Sequence, residues 1–305
     1  MAKRLLDTLA SGSYSTPKQI AAARAGVVTR IFRTRDKRTG KDLILKIDHG
    51  ATPSSIEADR RFQSQVSNKM MQTPQFAVPP VLACWPDPPA LLMEEAKGLS
   101  LRGYIHQKSP DEVAEAHRRA GQWLKAFQDT AGQRERPFRA GRMLSNLRAR
   151  RDWDGLPDLA DYDAGLALLE RLGAAAEDQI VPAGLVHGDF HPGNVILDKS
   201  VVTGIDMGKR ARGFAHRDLA RMLVHGFVTA PPAVFEAGLA NRHHQIYRAA
   251  LLEGFGPVPE AAMDAAILGA LLRWWAVVGT RRPQMKRDQE TYRRLRLLQR
   301  DLYGA

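Results

Sequence analysis

Three residues whose side chains carry oxygen atoms lie close together in the sequence, in the second half of the 305-residue chain. Asp189 lies in a polar loop, Asn194 follows five residues later, and Asp206 ends the next apolar run. Residues 198–200 separate two short apolar segments, which predicts a hairpin that brings Asn194 and Asp206 together. Two oxygen ligands beside a third carboxylate suit phosphoryl transfer from a magnesium nucleotide, because Mg²⁺ prefers oxygen donors and the acceptor hydroxyl needs a base.

This stretch resembles the catalytic loop of the aminoglycoside phosphotransferase and choline kinase family, a group of protein-kinase-like enzymes. The spacing from Asp189 to Asn194 equals that of the protein-kinase catalytic loop. The family signature is a His-Gly-Asp triplet, a second His, a Gly-Asn pair and an Ile-Asp strand end. Its members are present here as His187, Gly188, Asp189, His191, Gly193, Asn194, Ile205 and Asp206.

The resemblance implies a role for each polar residue of the loop. Asp189 would be the catalytic base, Asn194 and Asp206 would bind magnesium, and ATP and Mg²⁺ would be the cofactors. His187 and His191 would support the geometry of the loop and take no part in the chemistry. The alternative is a polar turn whose aspartates only cap backbone amides. The loop, the predicted hairpin and the second Asp occur together, which favours the functional interpretation.

The resemblance also implies an α+β, two-lobed, protein-kinase-like fold. A small antiparallel-sheet lobe with an N-terminal helical extension would cover residues 1–94 and bind the nucleotide. A mainly helical lobe would cover residues 95–305 and provide catalysis and acceptor binding. The strand patterns over 26–34 and 41–47, joined by a charged turn, predict a β-hairpin in the first lobe.

Two charged residues of the first lobe match phosphate-binding elements of kinases. Lys46 lies on the second strand of the hairpin, where the resemblance implies contact with the α- and β-phosphates. Glu57, in a helix predicted over 53–71 with Ser54 or Ser55 as its cap, would form an ion pair with Lys46. The alternatives are a solvated lysine and an ordinary acidic residue at a helix start. Only Gly26 represents the glycine-rich loop, which keeps open a non-catalytic, kinase-like nucleotide-binding module.

Further site residues flank the lobe boundary and the predicted metal site. By position in the family, main-chain groups of Glu94, Glu95 and Ala96 would bind the adenine edge. Asp218 would brace the catalytic loop. The cluster of Lys209, Arg210 and Arg212 follows Asp206 and could hold an anionic acceptor, although charge runs are usually solvated surface.

The rest of the chain is predicted to be largely helical. Residues 1–24 suggest a helix with a Ser- and Gly-rich break at 11–15, and residues 111–130 and 164–175 suggest two more. Residues 131–160 read as loops with a short helical piece. The tail, residues 281–305, has a stripe of Leu295, Leu298 and Leu302 that suggests a terminal helix packed on the second lobe.

Composition limits the partners and the compartment. The single cysteine, Cys84, excludes an intramolecular disulfide and suits the cytoplasm, and the N-terminus lacks the apolar run of a signal peptide. The apolar run over 265–272 is too short to span a bilayer, so no transmembrane segment is expected. The net charge of +12 favours anionic partners. Peripheral attachment of the basic tail to an anionic membrane is the minority interpretation.

These observations predict an ATP- and Mg²⁺-dependent phosphotransferase that acts on a hydroxyl of a small molecule. A sugar, an anionic metabolite or a glycolipid core fits the basic chain better than a polycationic aminoglycoside. A protein substrate is disfavoured because no long segment ending in Ala-Pro-Glu follows Asp206. Specific nucleic-acid binding rests on charge alone, since no zinc, ribonucleoprotein or helix-turn-helix motif accompanies it.

Overall fold

A computed structural model describes residues 2–20, 29–151, 158–207, 211–280 and 286–304 of the chain. Gly26, Lys209 and Arg210 lie outside these residues, as do the first positions of the strand predicted over 26–34.

The described strands and helices alternate in the first third of the chain, and helices dominate the rest. The strands are β1 (Lys18–Gln19), β2 (Thr29–Arg35), β3 (Asp42–Asp48), β4 (Phe76–Ala77), β5 (Val81–Pro86), β6 (Pro89–Glu94), β7 (Leu99–Ser100), β8 (Arg134–Pro137), β9 (Ile180–Val186), β10 (Val195–Leu197), β11 (Val202–Gly204) and β12 (Ala211–Phe214). The helices are α1 (Ala2–Ser11), α2 (Pro53–Met70), α3 (Leu101–Gln107), α4 (Pro110–Asp129), α5 (Gly141–Arg151), α6 (Leu159–Ala176), α7 (Ala215–Val228), α8 (Pro232–Glu236), α9 (Ala240–Phe255), α10 (Glu260–Thr280) and α11 (Lys286–Tyr303). This composition confirms the fold class expected from the sequence, a small antiparallel sheet followed by a mainly helical region.

The chain divides into two compact units. The first consists of Met1–Gly98 together with Asp198–Ile205, and the second of Leu99–Leu197 together with Asp206–Ala305. The sequence-based division at residues 94 and 95, with nucleotide binding in one part and catalysis in the other, stays a prediction.

The first unit is built on an antiparallel sheet with the strand order β1-β2-β3-β6-β5. Leu43, Leu45 and Ile47 of β3 are fully buried, as expected for alternate residues of a strand that share one face. Leu5 and Leu9 of α1 belong to the same core cluster. Lys46 therefore lies on the face of β3 opposite this core.

Helix α2 begins at Pro53, as predicted, but its cap differs from the expected one. The cap is Thr52 and not Ser54 or Ser55. The Thr52 hydroxyl oxygen accepts the Ser55 N–H at 3.2 Å, and the Thr52 N–H donates to the Ser55 hydroxyl at 2.9 Å. Pro53 fits the first helical position because no intrahelical hydrogen bond needs its missing N–H there.

A short pairing and a turn complete the first unit. Strand β11 runs parallel to β4, with Val202 opposite Phe76. The turn predicted at residues 198–200 is closed by the Asp198 N–H, which donates to the Val201 carbonyl oxygen at 2.9 Å. The chain therefore turns at residues 198–200, where the sequence predicted a turn.

The second unit consists of packed helices and two small sheets. Helix α4 packs along α9, while α10 packs against α6 and α7. Strands β12, β9 and β8 form an antiparallel sheet, and β10 pairs antiparallel with β7. Trp123, Phe127 and Phe190 are fully buried beneath the loop that follows β9.

Two elements differ from the sequence-based prediction. The helix expected over residues 1–24 ends at Ser11, and Lys18–Gln19 instead forms strand β1 beside Arg33 and Phe32. The region 131–160, expected to hold loops and a short helical piece, also contains strand β8. Both strands are exposed and pair through their backbones, so neither has the apolar alternation that identifies a strand in a sequence.

The terminal helix α11 docks on the second unit, as expected. Leu295 and Leu298 are fully buried, and Arg294 donates to the carbonyl oxygens of Val228 and Ala230 at 2.9 and 2.5 Å. The stretch Glu260–Val278 in α10 is the one described segment long and apolar enough to cross a membrane, and 67% of it is buried inside the fold.

The close contact between α4 and α9 depends on two glycines. A Cβ atom at Gly254 would lie 1.9 Å from the Arg118 carbonyl oxygen, and one at Gly121 would lie 2.2 Å from the Leu251 carbonyl oxygen. We expect Gly254→Ala to lower the free energy of unfolding by about 1–3 kcal/mol in urea titrations, because the backbone must shift to accept the methyl group.

Gly141→Ala provides the matched control, since nothing lies within 4 Å of a Cβ atom at that position of α5. It should leave the free energy of unfolding unchanged or raise it slightly. Equal effects of the two substitutions would show that the helix contact does not require glycine at position 254.

Candidate active site

The candidate catalytic loop begins where strand β9 ends and is fixed through its backbone. The carboxylate of Asp218, on the first turn of α7, accepts the His187 N–H at 2.6 Å and the Gly188 N–H at 3.0 Å. Asp218 is 2% exposed, and its burial raises the pKa of the carboxyl group to about 6, although the two amide hydrogen bonds favour the ionised form. Gly188 has a φ of 79°, a conformation that suits glycine.

The imidazole of His187 lies beneath the loop. It is fully buried and lies edge-on to Trp123, with ring centroids 5.8 Å apart, and close to Phe190. Its Nδ1 accepts the Asp189 N–H at 3.3 Å, so the neutral ring carries its proton on Nε2. A buried, neutral histidine that orients the Asp189 backbone fits the supporting role expected of it.

The carboxylate of Asp189 is held from two sides and remains accessible. Arg221 Nη2 lies 2.8 Å from Asp189 Oδ1, and Arg221 Nη1 donates to the Gly188 carbonyl oxygen at 2.6 Å. Asn194 Nδ2 donates to the Asp189 carbonyl oxygen at 2.9 Å and lies 3.3 Å from Oδ2. The side chain is 41% exposed, so Oδ2 can accept a hydrogen bond from a ligand.

His191 lies in a stack of three rings beside Asp189. Its ring stacks on His225 with centroids 5.0 Å apart, and His225 stacks on Trp274 at 3.9 Å. His191 Nδ1 accepts the Gly193 N–H at 3.0 Å, and Nε2 lies 3.7 Å from Asp189 Oδ2. Burial lowers the pKa of His191, and it lowers the pKa of His225 to about 3. Both rings are therefore neutral at pH 7.

The donor atoms expected to bind a metal fit a hard divalent cation. Because Asn194 Nδ2 donates to Asp189, the amide oxygen Oδ1 is the atom left to coordinate a ligand. Asp206 has a φ of 53°, a left-handed conformation that aspartate tolerates. No three His, Cys, Asp or Glu side chains of the described ranges converge on a metal position. Magnesium held by one or two protein oxygens plus nucleotide phosphates needs no such cluster.

The carboxylate of Glu57 binds Arg60 and Arg61 of its own helix, with nitrogen–oxygen distances of 2.6 and 3.3 Å. Residues three and four positions apart on a helix are neighbours, so these arginines compete with any other partner for the same carboxylate. The ion pair expected between Glu57 and Lys46 stays a prediction. Lys46 lies at the centre of the sheet, paired with Ile31 and Leu91 on the adjacent strands.

The segment expected to bind adenine has one free main-chain donor. The Glu94 N–H donates to the Pro80 carbonyl oxygen at 3.3 Å, and the Glu95 N–H donates to the Asp42 carbonyl oxygen at 3.0 Å. The side chains of Glu94 and Glu95 bind Lys41 and Arg33 at 2.6 and 2.5 Å. Of the three residues, only Ala96 has an N–H without an acceptor in the described chain.

Ala96→Pro tests this donor directly, because proline removes the N–H. If Ala96 binds the adenine edge, we expect the substitution to raise the Kd for AMP-PNP about tenfold, because the complex loses one hydrogen bond and tenfold corresponds to about 1.4 kcal/mol. Isothermal titration calorimetry with AMP-PNP measures this change. Ala96→Ser keeps the N–H and should bind as the wild type does; equal Kd values for both variants would remove Ala96 from the site.

Of the basic cluster expected to hold an acceptor, only Arg212 lies within the described residues. Arg212 donates to the carbonyl oxygens of Ala131 and Gly132 at 2.7 and 3.4 Å, which fixes strand β12 against the end of α4. This contact provides a structural explanation for Arg212, while its role in acceptor binding stays a prediction.

Sequence reasoning missed Arg221, although it contacts the loop at two points. Asp218 and Arg221 are three residues apart on α7 and therefore share a face. Once Asp218 is placed against the loop, this spacing places Arg221 there as well. The signal was present in the sequence, but it required knowledge of which face of α7 meets the loop.

Comparison with known proteins identifies the family. The model of the phosphotransferase enzyme family matches residues 19–253. The match covers most of the chain, and the chain therefore belongs to this family of phosphotransferases. No curated protein sequence matches the chain.

Several solved structures share the fold. The choline kinase of Cryptosporidium parvum Iowa II has a TM-score of 0.60 and 11% identity, over 99% of this chain and 95% of that one. The amicoumacin kinase hAmiN, in complex with AMP-PNP, Ca²⁺ and Ami, has a TM-score of 0.58 and 14% identity, over 97% and 92%. Aminoglycoside-3'-phosphotransferase of type VIII has a TM-score of 0.53 and 20% identity, over 87% and 97%. These likenesses confirm the protein-kinase-like fold.

Proposed function

We propose that the protein transfers the γ-phosphoryl group of ATP, with Mg²⁺, to a hydroxyl of a small molecule. The observation that carries this proposal is the arrangement around Asp189. An accessible carboxylate is fixed by Arg221 and Asn194 in a loop whose backbone is anchored by the buried Asp218. A general base needs this combination of fixed position and access.

In the proposed reaction Asp189 Oδ2 accepts a hydrogen bond from the acceptor hydroxyl. The hydroxyl oxygen attacks the γ-phosphorus, the bond from that phosphorus to the bridging oxygen breaks, and ADP leaves. Asp189 takes up the hydroxyl proton as the new ester bond forms. Asn194 and Arg221 keep the carboxylate oriented throughout.

The remaining roles follow the same proposal. Asn194 Oδ1 and the Asp206 carboxylate would hold the magnesium ion, which neutralises the charge that develops on the phosphates. Lys46 would bind the α- and β-phosphates, and Ala96 would bind the adenine edge through its N–H. The structure pairs Glu57 with Arg60 and Arg61, so Glu57 is left out of this assignment.

A kinase-like module that binds nucleotide without transfer is the second candidate. The observation that favours it is the Arg221–Asp189 ion pair, which already occupies one oxygen of the carboxylate proposed as the base. The first candidate is preferred because Arg221 contacts Oδ1, which leaves Oδ2 for an acceptor, and because the sequence contains Lys46, Asn194 and Asp206 at the positions that the family pattern requires.

A thermal-shift titration with ATP, ADP and GTP, with and without MgCl₂, tests nucleotide and metal use together. We expect a Mg²⁺-dependent rise in Tm with ATP, because a ligand that binds only the folded state stabilises it by about 2.7 kcal/mol at 100 times its Kd. Asp206→Asn should abolish the Mg²⁺ dependence, and asparagine tolerates the left-handed backbone at this position.

Asp129→Asn serves as the control, since Asp129 is exposed and pairs with Lys125 on the surface of α4. This variant should respond to Mg²⁺ and ATP as the wild type does. A wild-type protein whose Tm is unchanged by every nucleotide would refute the proposed function.

A further inference from the structure

One face of helix α7 carries positive charge toward the Asp189 loop. Arg217, Arg221 and His225 follow each other at intervals of four residues and therefore lie on one side of the helix. Arg221 contacts Asp189, and His225 stacks on His191 of the same loop. This face therefore lies along the catalytic loop, with Arg217 one turn before Arg221.

Helix α10 adds another guanidinium to the same region. Trp274 stacks on His225 with centroids 3.9 Å apart, which places its neighbour Arg273 beside α7. Burial, and then the charges of Arg150, Arg221 and Arg217, lower the pKa of Arg273. No acidic residue is among the groups that act on it. Arg150 of α5 and Arg217 and Arg221 of α7 thus lie within electrostatic range of Arg273.

Two arginines of this group have no carboxylate partner in the described ranges. Arg217 is exposed and Arg273 is partly buried, and neither forms an ion pair or a hydrogen bond with another residue in that part of the chain. Asp218 is buried and bound to backbone amides, and Asp189 is shared with Arg221. Scattered surface arginines would remain apart in solvent, whereas Arg217 and Arg221 share one face of α7 and Arg221 contacts Asp189. A cluster of like charges held together by packed helices is stabilised when an anion binds to it.

We propose that the acceptor is a hydroxy compound that carries a phosphate or carboxylate, and that Arg217, Arg221 and Arg273 bind this anionic group while the hydroxyl faces Asp189. The proposal rests on the proposed phosphotransferase function and specifies its substrate class. A guanidinium suits this task because its planar donors match carboxylate and phosphate oxygens.

A matched set of sugars tests the charge of the acceptor. The probes are glucose, gluconate, glucose 6-phosphate and glucosamine, added to protein saturated with Mg²⁺ and AMP-PNP so that the nucleotide site is filled. We expect gluconate or glucose 6-phosphate to raise the Tm further and to bind at least tenfold more tightly than glucose, with no binding of glucosamine. The comparison of gluconate with glucose 6-phosphate distinguishes the two anionic groups.

Substitutions then locate the binding. The double variant Arg217→Gln and Arg273→Gln should weaken binding of the anionic sugar at least tenfold, with the Mg²⁺–AMP-PNP shift unchanged. Arg171→Gln, an exposed arginine of α6, should leave both properties unchanged. The two proposals have separate readouts. A wild-type protein that shows no Tm shift with Mg²⁺–AMP-PNP would contradict the proposed phosphotransferase function, whereas the sugar titration tests only the acceptor.

Three results would overturn the anionic-acceptor proposal while the nucleotide shift persists. The first is that the anionic sugars bind no more tightly than the neutral and cationic ones, either because all four bind equally well or because none of them binds. The second is unchanged anion binding in the double variant. The third is a double variant that binds AMP-PNP more weakly but the anionic sugar normally, which would assign the arginines to the nucleotide.

Discussion

Asp189→Asn is expected to lower kcat by about 10²–10⁴, the contribution of a positioned general base, while the protein stays folded and binds Mg²⁺ and ATP. An amide has the same shape as the carboxylate but cannot take up the hydroxyl proton. The variant should also lose the ion pair to Arg221, which is exposed and worth about 1 kcal/mol or less. The loss in rate should therefore appear in kcat with little change in the free energy of unfolding.

Single-turnover measurement of ADP formation, with and without acceptor, provides the readout, and Asp129→Asn is again the control for a surface carboxylate. Arg221→Gln separates positioning from chemistry. It should lower kcat less than Asp189→Asn does, because the carboxylate remains and loses only one of the two groups that hold it. Full activity of Asp189→Asn would contradict the assignment of the base.

The sequence predicted the parts of the site that depend on local order. The loop from His187 to Asn194 is contiguous, so its spacing alone indicated which groups come together. Arg221 was missed because its approach to Asp189 depends on how α7 packs against the loop. Glu57 shows the opposite case: Arg60 and Arg61 are near in sequence and bind its carboxylate, a local contact that the family comparison did not indicate, while its ion pair with Lys46 stays a prediction.

The fold shows the same limit. Strand β3 was predicted correctly because its residues are largely apolar and Leu43, Leu45 and Ile47, at alternate positions, are buried on one face. Strands β1 and β8 have no buried face, and they exist because β2 and β9 offer backbone partners to them. Such edge strands depend on tertiary placement, which periodicity does not record.

Buried histidines should make the protein unstable in mild acid. His117, His216, His225 and His244 are held away from water, and burial lowers their pKa values to about 4, 3, 3 and 4 from an ordinary value of 6.5. As the pH falls below 6.5, these histidines become protonated in the unfolded chain, while the buried rings of the folded chain stay neutral. The stability associated with the neutral rings is present above pH 6.5 and is lost toward pH 4.

Each of these histidines removes about 2–3 kcal/mol of stability by pH 4.5, since one pKa unit corresponds to about 1.4 kcal/mol. The total is comparable with the 5–15 kcal/mol that stabilises a typical domain. We therefore expect cooperative unfolding between pH 6 and 4, measured by far-ultraviolet circular dichroism. A protein that keeps its structure to pH 3.5 would show that these rings are solvated or paired in the folded state.

His244→Phe isolates the contribution of one histidine to the loss of stability in acid. His244 is 3% exposed, neither ring nitrogen has a hydrogen-bond partner among the described residues, and the ring borders a cavity of about 230 Å³ that can accept the larger phenyl ring. Between pH 7.5 and 4.5 the variant should gain about 2 kcal/mol of stability relative to the wild type, because its buried ring takes up no proton in the unfolded state. His243→Phe, at a partly exposed neighbouring position, should show a smaller gain. Equal gains at the two positions would mean that burial is not the cause of the acid sensitivity.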